Sequence, residues 1–501
     1  MKGLLFCVGL IMNCLFSTVS FAQIQNVSQQ DALANTQKQL QINRYKYSIK
    51  APKAIDGNSD FNSMDITSHG GDLAKLLGDN IYKVDSLVVR GTVDDVDFHT
   101  LWDASFNGKL SVINMENAEV KNGIIPEDAF WHSEQLNIED GYITLIHLRR
   151  IILPNGIKRI EDSAFSYVVN LEDVNIPSEL QYIGPSAFEQ CENLKTDPLV
   201  FPEGFEKLDG AVFANCTNLT GKVVLPSTIK EIGEAAFWRA KISSINLPEG
   251  LEKIGDGAFY GCRLEEVHIP NSCKDLGIFA FKLNKELKEM RLPDGIERIP
   301  NNFADCCINL SHVNIPSSVK SIGKEAFQSC WCLNDVELPL GLESIDKDAF
   351  QSCYAFGQLV FPATLNFLGE ECCTYLTGVK RIYSMASEPP ACEGSTLNIG
   401  DTPFGGYDSP STPNDIPVYV PVGAAEKYRK AWGWDYFTNF IETDDFPTAI
   451  HNININKPKK AVIKYILFGL GLNKLFINLL FKKNIHNKDE YIPVNNISFS
   501  I

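Results

Sequence analysis

The sequence holds no G-x-S-x-G, no H-E-x-x-H and no glycine-rich loop at phosphate-binding spacing, so it offers no nucleophile elbow, metalloprotease helix or nucleotide cradle. Its eight His are scattered, and none of its 14 Cys falls at a zinc spacing with a second pair or a His to complete four ligands. Carboxylate pairs such as Glu265-Glu266 lack the cleft a glycosidase needs and read as a solvated face. Enzymatic activity, a metal and a cofactor are therefore not expected. Basic charge is also scarce in the body. The formal net charge is −17, yet the stretch Lys457 to Lys488 alone carries eight Lys and no acid. Setting aside the net +6 of that tail, with Asp489 and Glu490 counted, and the +1 of the opening leaves about −24 on the rest. Such a body repels phosphates, which argues against nucleic acid. Toward a protein partner this charge bears on solubility and encounter rate rather than on fold.

What the chain does have is repetition. Ten prolines, from Pro154 to Pro362, recur at steps of 22 to 25 residues, a period that marks a solenoid. An apolar residue follows each proline by three (Leu180, Ile229, Leu251, Val319, Leu342) and Ile or Leu by six (Ile183, Ile232, Ile254, Ile322, Ile345). One coil of about two dozen residues cannot bury its own apolar face, whereas stacked coils turn each such ladder into a continuous strip of core. Phe165, Phe188, Phe213, Phe237, Phe259, Phe281, Phe327 and Phe350 lie eleven after their prolines and Phe303 ten after, which predicts a phenylalanine spine. Before each proline a short alternating run such as "EEVHIP" reads as a half-buried strand, with Val267 and Ile269 inward and Glu266 and His268 outward. Glycines seven after the proline (Gly184, Gly233, Gly255, Gly277, Gly323, Gly369) suit a turn that needs either small size or positive φ.

The motif P-x-x-[ILV]-x-x-I-G-x-x-A-F-x-x-C resembles the BspA-like subclass of leucine-rich repeats, clearly over residues 148–376. "LVVRGTVDDVDFHTLWDAS" and "IIPEDAF" are similar to that family's degenerate first coils, and "VYVPVGAAEKYRKAWGWDYF" to its closing unit. The resemblance implies a right-handed, β-rich repeat solenoid of about ten 22–25-residue coils with terminal caps. It also implies a secreted or cell-surface protein that works by adhesion or recognition rather than catalysis.

The domain order expected is a signal peptide over residues 1–22, a linker or weakly ordered arm over 23–70, and an N-terminal cap with degenerate repeats over 71–147. The solenoid over 148–376, a closing unit over 377–446 and a basic, hydrophobic tail over 447–501 follow. "MKGLLFCVGLIMNCLFSTVSFAQ" has the Lys, apolar run and Ser20-Phe21-Ala22 end of a cleavable signal. In the tail, "VIKYILFGLGLNKLFINLLF" has the length of a membrane span, but Lys464 and Lys474 would each cost about 2.5–3.5 kcal/mol near the bilayer centre. Any membrane contact would come through this tail. In the closing unit Trp432, Trp434, Tyr428 and Phe437 are expected to seal the open end of the core; a ligand-stacking role for the two Trp is the alternative.

Cys191, Cys216, Cys262, Cys306, Cys330 and Cys353 each fall three after the spine phenylalanine. Val168 and Ala240 hold the same place in other coils, so the ladder reads as buried thiols that pack. Inter-coil disulfides are the competing reading, since the expected compartment is oxidising, with Cys306-Cys307, Cys372-Cys373 and Cys330-x-Cys332 the places to look.

If the protein binds, the outward strand positions are the natural surface, because the core does not constrain them. They differ from coil to coil, and Asn246, His268, Arg291, His312, Asn314, Asp335 and Glu337 form the candidate ligand-binding face. His268 and His312, two coils apart, read as solvated residues rather than as a metal or catalytic pair. The expected partner is a protein or glycan on host or neighbouring cells, met by a monomer. The alternative is an architectural spacer or envelope component with no specific ligand.

Overall fold

The computed structural model describes residues 48–50, 62–132, 135–137, 142–144, 146–334, 336–394, 402–405 and 411–447. The proposed signal peptide, the basic tail and Asp335 lie outside them. Across the described residues the chain is a parallel β-solenoid: short strands of successive coils pair in parallel, and their inward side chains share one core.

Each coil of the repeat has three hydrogen-bonded sides. The first is the strand before the proline, such as Glu266–His268, which pairs in parallel with Glu289–Arg291. The second is a two-residue strand five and six after the proline, such as Lys253–Ile254, flanked by Glu231–Ile232 and Asp275–Leu276. The third is a run of tight turns in which alternate amides reach the next coil: Ser186 N–H donates to Gly210 O, Phe188 N–H to Val212 O and Gln190 N–H to Ala214 O. Pairing of this kind from coil to coil is how a stacked chain satisfies its buried backbone groups. Parallel rungs also run beyond the clear repeats. Ser63–His69 pairs with Ser86–Val93, ahead of the cap boundary drawn at residue 71, and Asn439–Glu442 pairs with Pro417–Val420 at the other end.

The spine phenylalanines are fully buried. From Phe130 to Phe281 their rings stack with centroids 5.0–5.7 Å apart and planes within 17° of parallel. Phe303 breaks the row, meeting Phe281 edge-on at 72°. In that coil "NFADCC" has the aromatic and the alanine exchanged: Phe303 O accepts from Phe281 N–H, a role alanine fills elsewhere, and Ala304 takes the spine place. The thiol ladder shifts with it. Cys307, not Cys306, donates to the spine carbonyl of the coil before.

The glycines seven after the proline are settled in favour of size. None has positive φ. A Cβ on Gly184 would stand 2.7 Å from Asp162 N, and one on Gly277 2.3 Å from Asp256 N, so the coils touch here backbone to backbone. Positive φ falls instead on ordinary residues nine and thirteen after the proline, as at Ser186 and Gln190 or Ser352 and Asp348. Left-handed backbone costs a non-glycine residue about 1–2 kcal/mol, and here the ladder of turn amides holds it in place.

At the N-terminal end Asp94 caps the helix Asp95–Phe106 by accepting from Val96 and Asp97 N–H, and Asp97 returns the bond to Asp94 N–H. The buried Asp97 carboxylate also accepts from Ser68 Oγ and from the amides of Gly71 and Leu73, tying the helix to the first rung. At the other end Trp434, Tyr428 and Phe437 close the core as expected, with Trp434 Nε1 donating to Pro390 O. Trp432 does not join them and stays 43% exposed.

Candidate functional site

The strand side carries the candidate residues on three rungs, Glu266–His268, Glu289–Arg291 and His312–Asn314. Val267, Met290 and Val313 point into the core, so their neighbours point out. Two outward columns result: Glu266, Glu289 and His312 in one, His268, Arg291 and Asn314 in the other. His268 and His312 thus stand in different columns two coils apart, and among the described residues no three His, Cys, Asp or Glu side chains converge on a metal-sized site. Glu337 is exposed on a stretch that forms no strand.

The columns are not uniformly free. Asn246 accepts from Leu225 N–H at 2.8 Å and donates to Leu225 O at 3.0 Å, clamping the coil before it; Asn175 does the same to Leu153. Asn314 likewise accepts from Leu292 N–H at 2.8 Å. Of the candidate residues, Asn246 and Asn314 therefore spend their amides on the backbone, where the strand has already ended and the peptide groups need a partner. The remaining charges are differently placed. Glu266 and Glu289 are directly in register, and His268 Nε2 lies 4.0 Å from Glu289. Among the described residues Arg291 has no acidic partner.

The adjoining side, four and five after the proline, is the opposite case. Lys207, Glu231, Lys253 and Asp275 form one column whose ion pairs run 3.6, 3.7 and 3.7 Å. Lys230 meets Glu252 at 3.6 Å and Glu297 meets Lys320 at 3.4 Å in the column beside it. In the coils from Pro202 to Pro316 each charge there has an opposite charge one coil away.

Several polar groups that the sequence did not single out are buried. Glu189 is 6% exposed, its Oε1 has no partner, and burial pushes its carboxyl up to about 7 against a bond from Ser186. Burial, then the nearby Glu371 and Glu325, pushes Asp348 up to about 7. Lys282 Nζ lies 2.6 Å from the buried Asp305. The thiols are structural: Cys191, Cys216, Cys262, Cys307, Cys330 and Cys353 donate to the preceding coil's spine-position carbonyl at 3.1–3.2 Å. Burial raises their pKa, so they are held as thiols. Where the ladder carries Asn284, its Nδ2 makes the same bond to Phe259 O at 2.8 Å. A groove of about 340 Å³ between 363–366 and 386–391 includes none of the strand-side candidates.

Stacked coils, a shared apolar core and surface residues free to differ define a leucine-rich-repeat solenoid. The model of the BspA-type leucine-rich repeat region matches in six copies over residues 124–263 and 252–380, together just over half of the chain. The protein belongs to this BspA-type leucine-rich repeat family. Among solved structures it is similar to a leucine-rich repeat protein from Bacteroides ovatus, at 22% identity over 65% of this chain and 87% of that one, with a TM-score of 0.46. A leucine-rich cell surface protein from Faecalibacterium prausnitzii follows at 20% identity, over 56% and 79% of the two chains, TM-score 0.37. The pneumococcal vaccine antigen PcpA shares 18% identity over 79% and 92%, TM-score 0.35. No curated protein matches the chain.

Proposed function

We propose that the protein is exported to the cell surface and there binds a protein or glycan of host or neighbouring cells through its strand side, without catalysis. One observation carries the reading. The chain neutralises charge coil by coil on the side four and five after the proline; on the adjacent strand side Arg150 pairs with Asp173 at 3.1 Å, yet farther along Glu266 stacks on Glu289 and, among the described residues, Arg291 has no acidic partner. Like charges directly opposed across strands weaken a sheet, so an arrangement kept without internal benefit fits a surface shaped for something outside the molecule. The opening sequence, with its apolar run and Ser20-Phe21-Ala22, supports export.

The test has two stages. Shaving of intact producing cells with protease, read by mass spectrometry, should release peptides of the repeat; protection of the repeat would overturn surface display and favour the architectural role. The full chain is then screened on arrays of glycans and extracellular-matrix proteins. Binding should saturate, weaken with salt and change on Arg291→Glu, His312→Ala or Glu337→Lys. A confirmed ligand indifferent to all three would refute the strand-side assignment.

A further inference from the structure

The coils between Pro202 and Pro362 are of two kinds, and they alternate. Coils opened by Pro202, Pro248, Pro293 and Pro339 have glycine two after the proline: Gly204, Gly250, Gly295 and Gly341. Coils opened by Pro226, Pro270, Pro316 and Pro362 have a hydroxyl there instead: Thr228, Ser272, Ser318 and Thr364. The charges four and five after the proline follow the same beat. Glycine coils read Glu206-Lys207, Glu252-Lys253 and Glu297-Arg298, whereas hydroxyl coils read Lys230-Glu231 and Lys274-Asp275. Through the last coils the beat continues in one column, with Lys320 and then Glu343.

The two kinds of coil make two different interfaces. From three of the four glycine coils to the hydroxyl coil after each, the glycine N–H donates to the hydroxyl, and the hydroxyl donates back to the carbonyl one residue on; at the fourth, Gly341 lacks positive φ and Thr364 Oγ1 donates to Leu340 O and Leu342 O. Gly250 N–H meets Ser272 Oγ at 2.9 Å and Ser272 Oγ meets Leu251 O at 2.7 Å. Gly204 with Thr228 and Gly295 with Ser318 repeat it, at 3.0 Å for the first bond in each case. The glycine takes φ of +84 to +103° to present that N–H, a backbone that favours glycine. Among the described residues no glycine–hydroxyl clasp runs from a hydroxyl coil to the next glycine coil, although Asp294 N–H donates to Asn271 Oδ1 at 2.8 Å across one of these interfaces. The lysine bridges instead: Lys230 Nζ donates to Gly250 O at 3.3 Å, and Lys274 Nζ to Asp294 O. Stacking two coils of one kind would lose the clasp and set Glu over Glu and Lys over Lys in both columns.

We infer that the structural unit of this array is a pair of coils, and that coils can be lost or gained without a mismatched interface only in twos. The strand side therefore changes length in steps of two rungs. This inference is independent of what that side binds.

Two deletions in the full chain test it. Removing residues 226–247 takes out one hydroxyl coil and seats Glu206-Lys207 on Glu252-Lys253. Removing residues 226–269 takes out a pair and seats Gly204 on Ser272, Glu206 on Lys274 and Lys207 on Asp275, a native interface. The shorter chain should melt within a few degrees of the parent, and the longer one well below it. Stability that simply falls with the number of coils removed overturns the proposal. A second measurement keeps it falsifiable if neither deletion folds. In the full chain K230E/E231K creates two like-charged interfaces and should lower the thermal midpoint by several degrees, less so in 1 M salt, where the Debye length is about 3 Å. Adding E252K/K253E still leaves two, so the midpoint should fall no further. A silent first exchange, or a doubled loss with the second, overturns it.

Discussion

Buried Glu189 should make stability fall as pH rises, against the usual behaviour of a carboxylate. Its side chain is 6% exposed, Oε1 has no partner, and burial raises its pKa from 4.5 to about 7. Below pH 4.5 folded and unfolded chains both carry the proton and the residue is neutral to stability. Between 4.5 and 7 the unfolded chain sheds it while the folded chain holds it, so stability declines through that window and stays reduced above pH 7. A rise from 4.5 to about 7 corresponds to a full loss of about 3 kcal/mol. Asp348, also raised to about 7, acts in the same direction, as do Asp128 and Asp256, raised chiefly by burial. Carboxylates whose pKa is lowered by partners, Glu172 beside Arg149 and Asp65 beside Arg90, titrate below the window and do not mask the effect. Urea unfolding of the parent and Glu189→Gln, at pH 5 and pH 8, isolates it. The variant should gain on the parent by about 2.5 kcal/mol on passing from pH 5 to pH 8, since part of the loss is already present at pH 5. An equal difference at both pH values would refute a buried, neutral Glu189.

Three further outcomes follow from the packing. Phe237→Ala, which empties a ring stacked between Phe213 and Phe259, should cost about 3–5 kcal/mol by urea unfolding. Gly277→Ala places a Cβ 2.3 Å from Asp256 N and 2.4 Å from Gly255 C; it should lower the thermal midpoint although φ at Gly277 is not positive, whereas Gly156→Ala, with open space around it, should be nearly silent. Asn284→Ala removes the side-chain bond to Phe259 O and leaves the buried Leu264 N–H without its acceptor, so it should cost about 1–3 kcal/mol, and Asn284→Cys should recover part of that by donating to Phe259 O as Cys262 does to Phe237 O.

The core was legible in the sequence because a solenoid repeats position, and position alone decides what faces inward. The proline step, the Ile ladder and the Phe ladder each needed only a count. Counting fails where one residue type serves two physical needs. A glycine seven after the proline fits tight backbone contact and positive φ equally well until the neighbouring coil is in place, and Gly277 then shows which applies. A phenylalanine one place early, Phe303, is visible in the sequence, but its exchange with Ala304, and the move of the thiol ladder to Cys307, is written in the hydrogen bonds of adjacent coils. Trp432 and Trp434 are two residues apart in a sequence rich in aromatics, and only one of them reaches the core.

The candidate face was harder to read for a related reason. An outward asparagine is free surface if its amide meets water and scaffold if it meets a backbone, and only the latter holds for Asn246 and Asn314. A signal was present, since Asn175, Asn246 and Asn314 recur two before their prolines, where a strand ends and its next peptide lacks a ladder partner. The alternation of Gly204, Thr228, Gly250 and Ser272 was equally open to counting, but at a period of two coils rather than one. Both points narrow the search for a ligand in the same direction. Asparagines locked to Leu225 and Leu292 and columns of paired Lys and Glu are occupied by the protein's own architecture. On the strand side Glu266, His268, Glu289 and Arg291 form a mixed-charge strip two rungs wide, in which His268 Nε2 lies 4.0 Å from Glu289. A partner that engages it must carry both a positive and a negative group, and its affinity should therefore respond in opposite senses to Glu266→Lys and to salt if it is predominantly acidic, and in the same sense if it is predominantly basic.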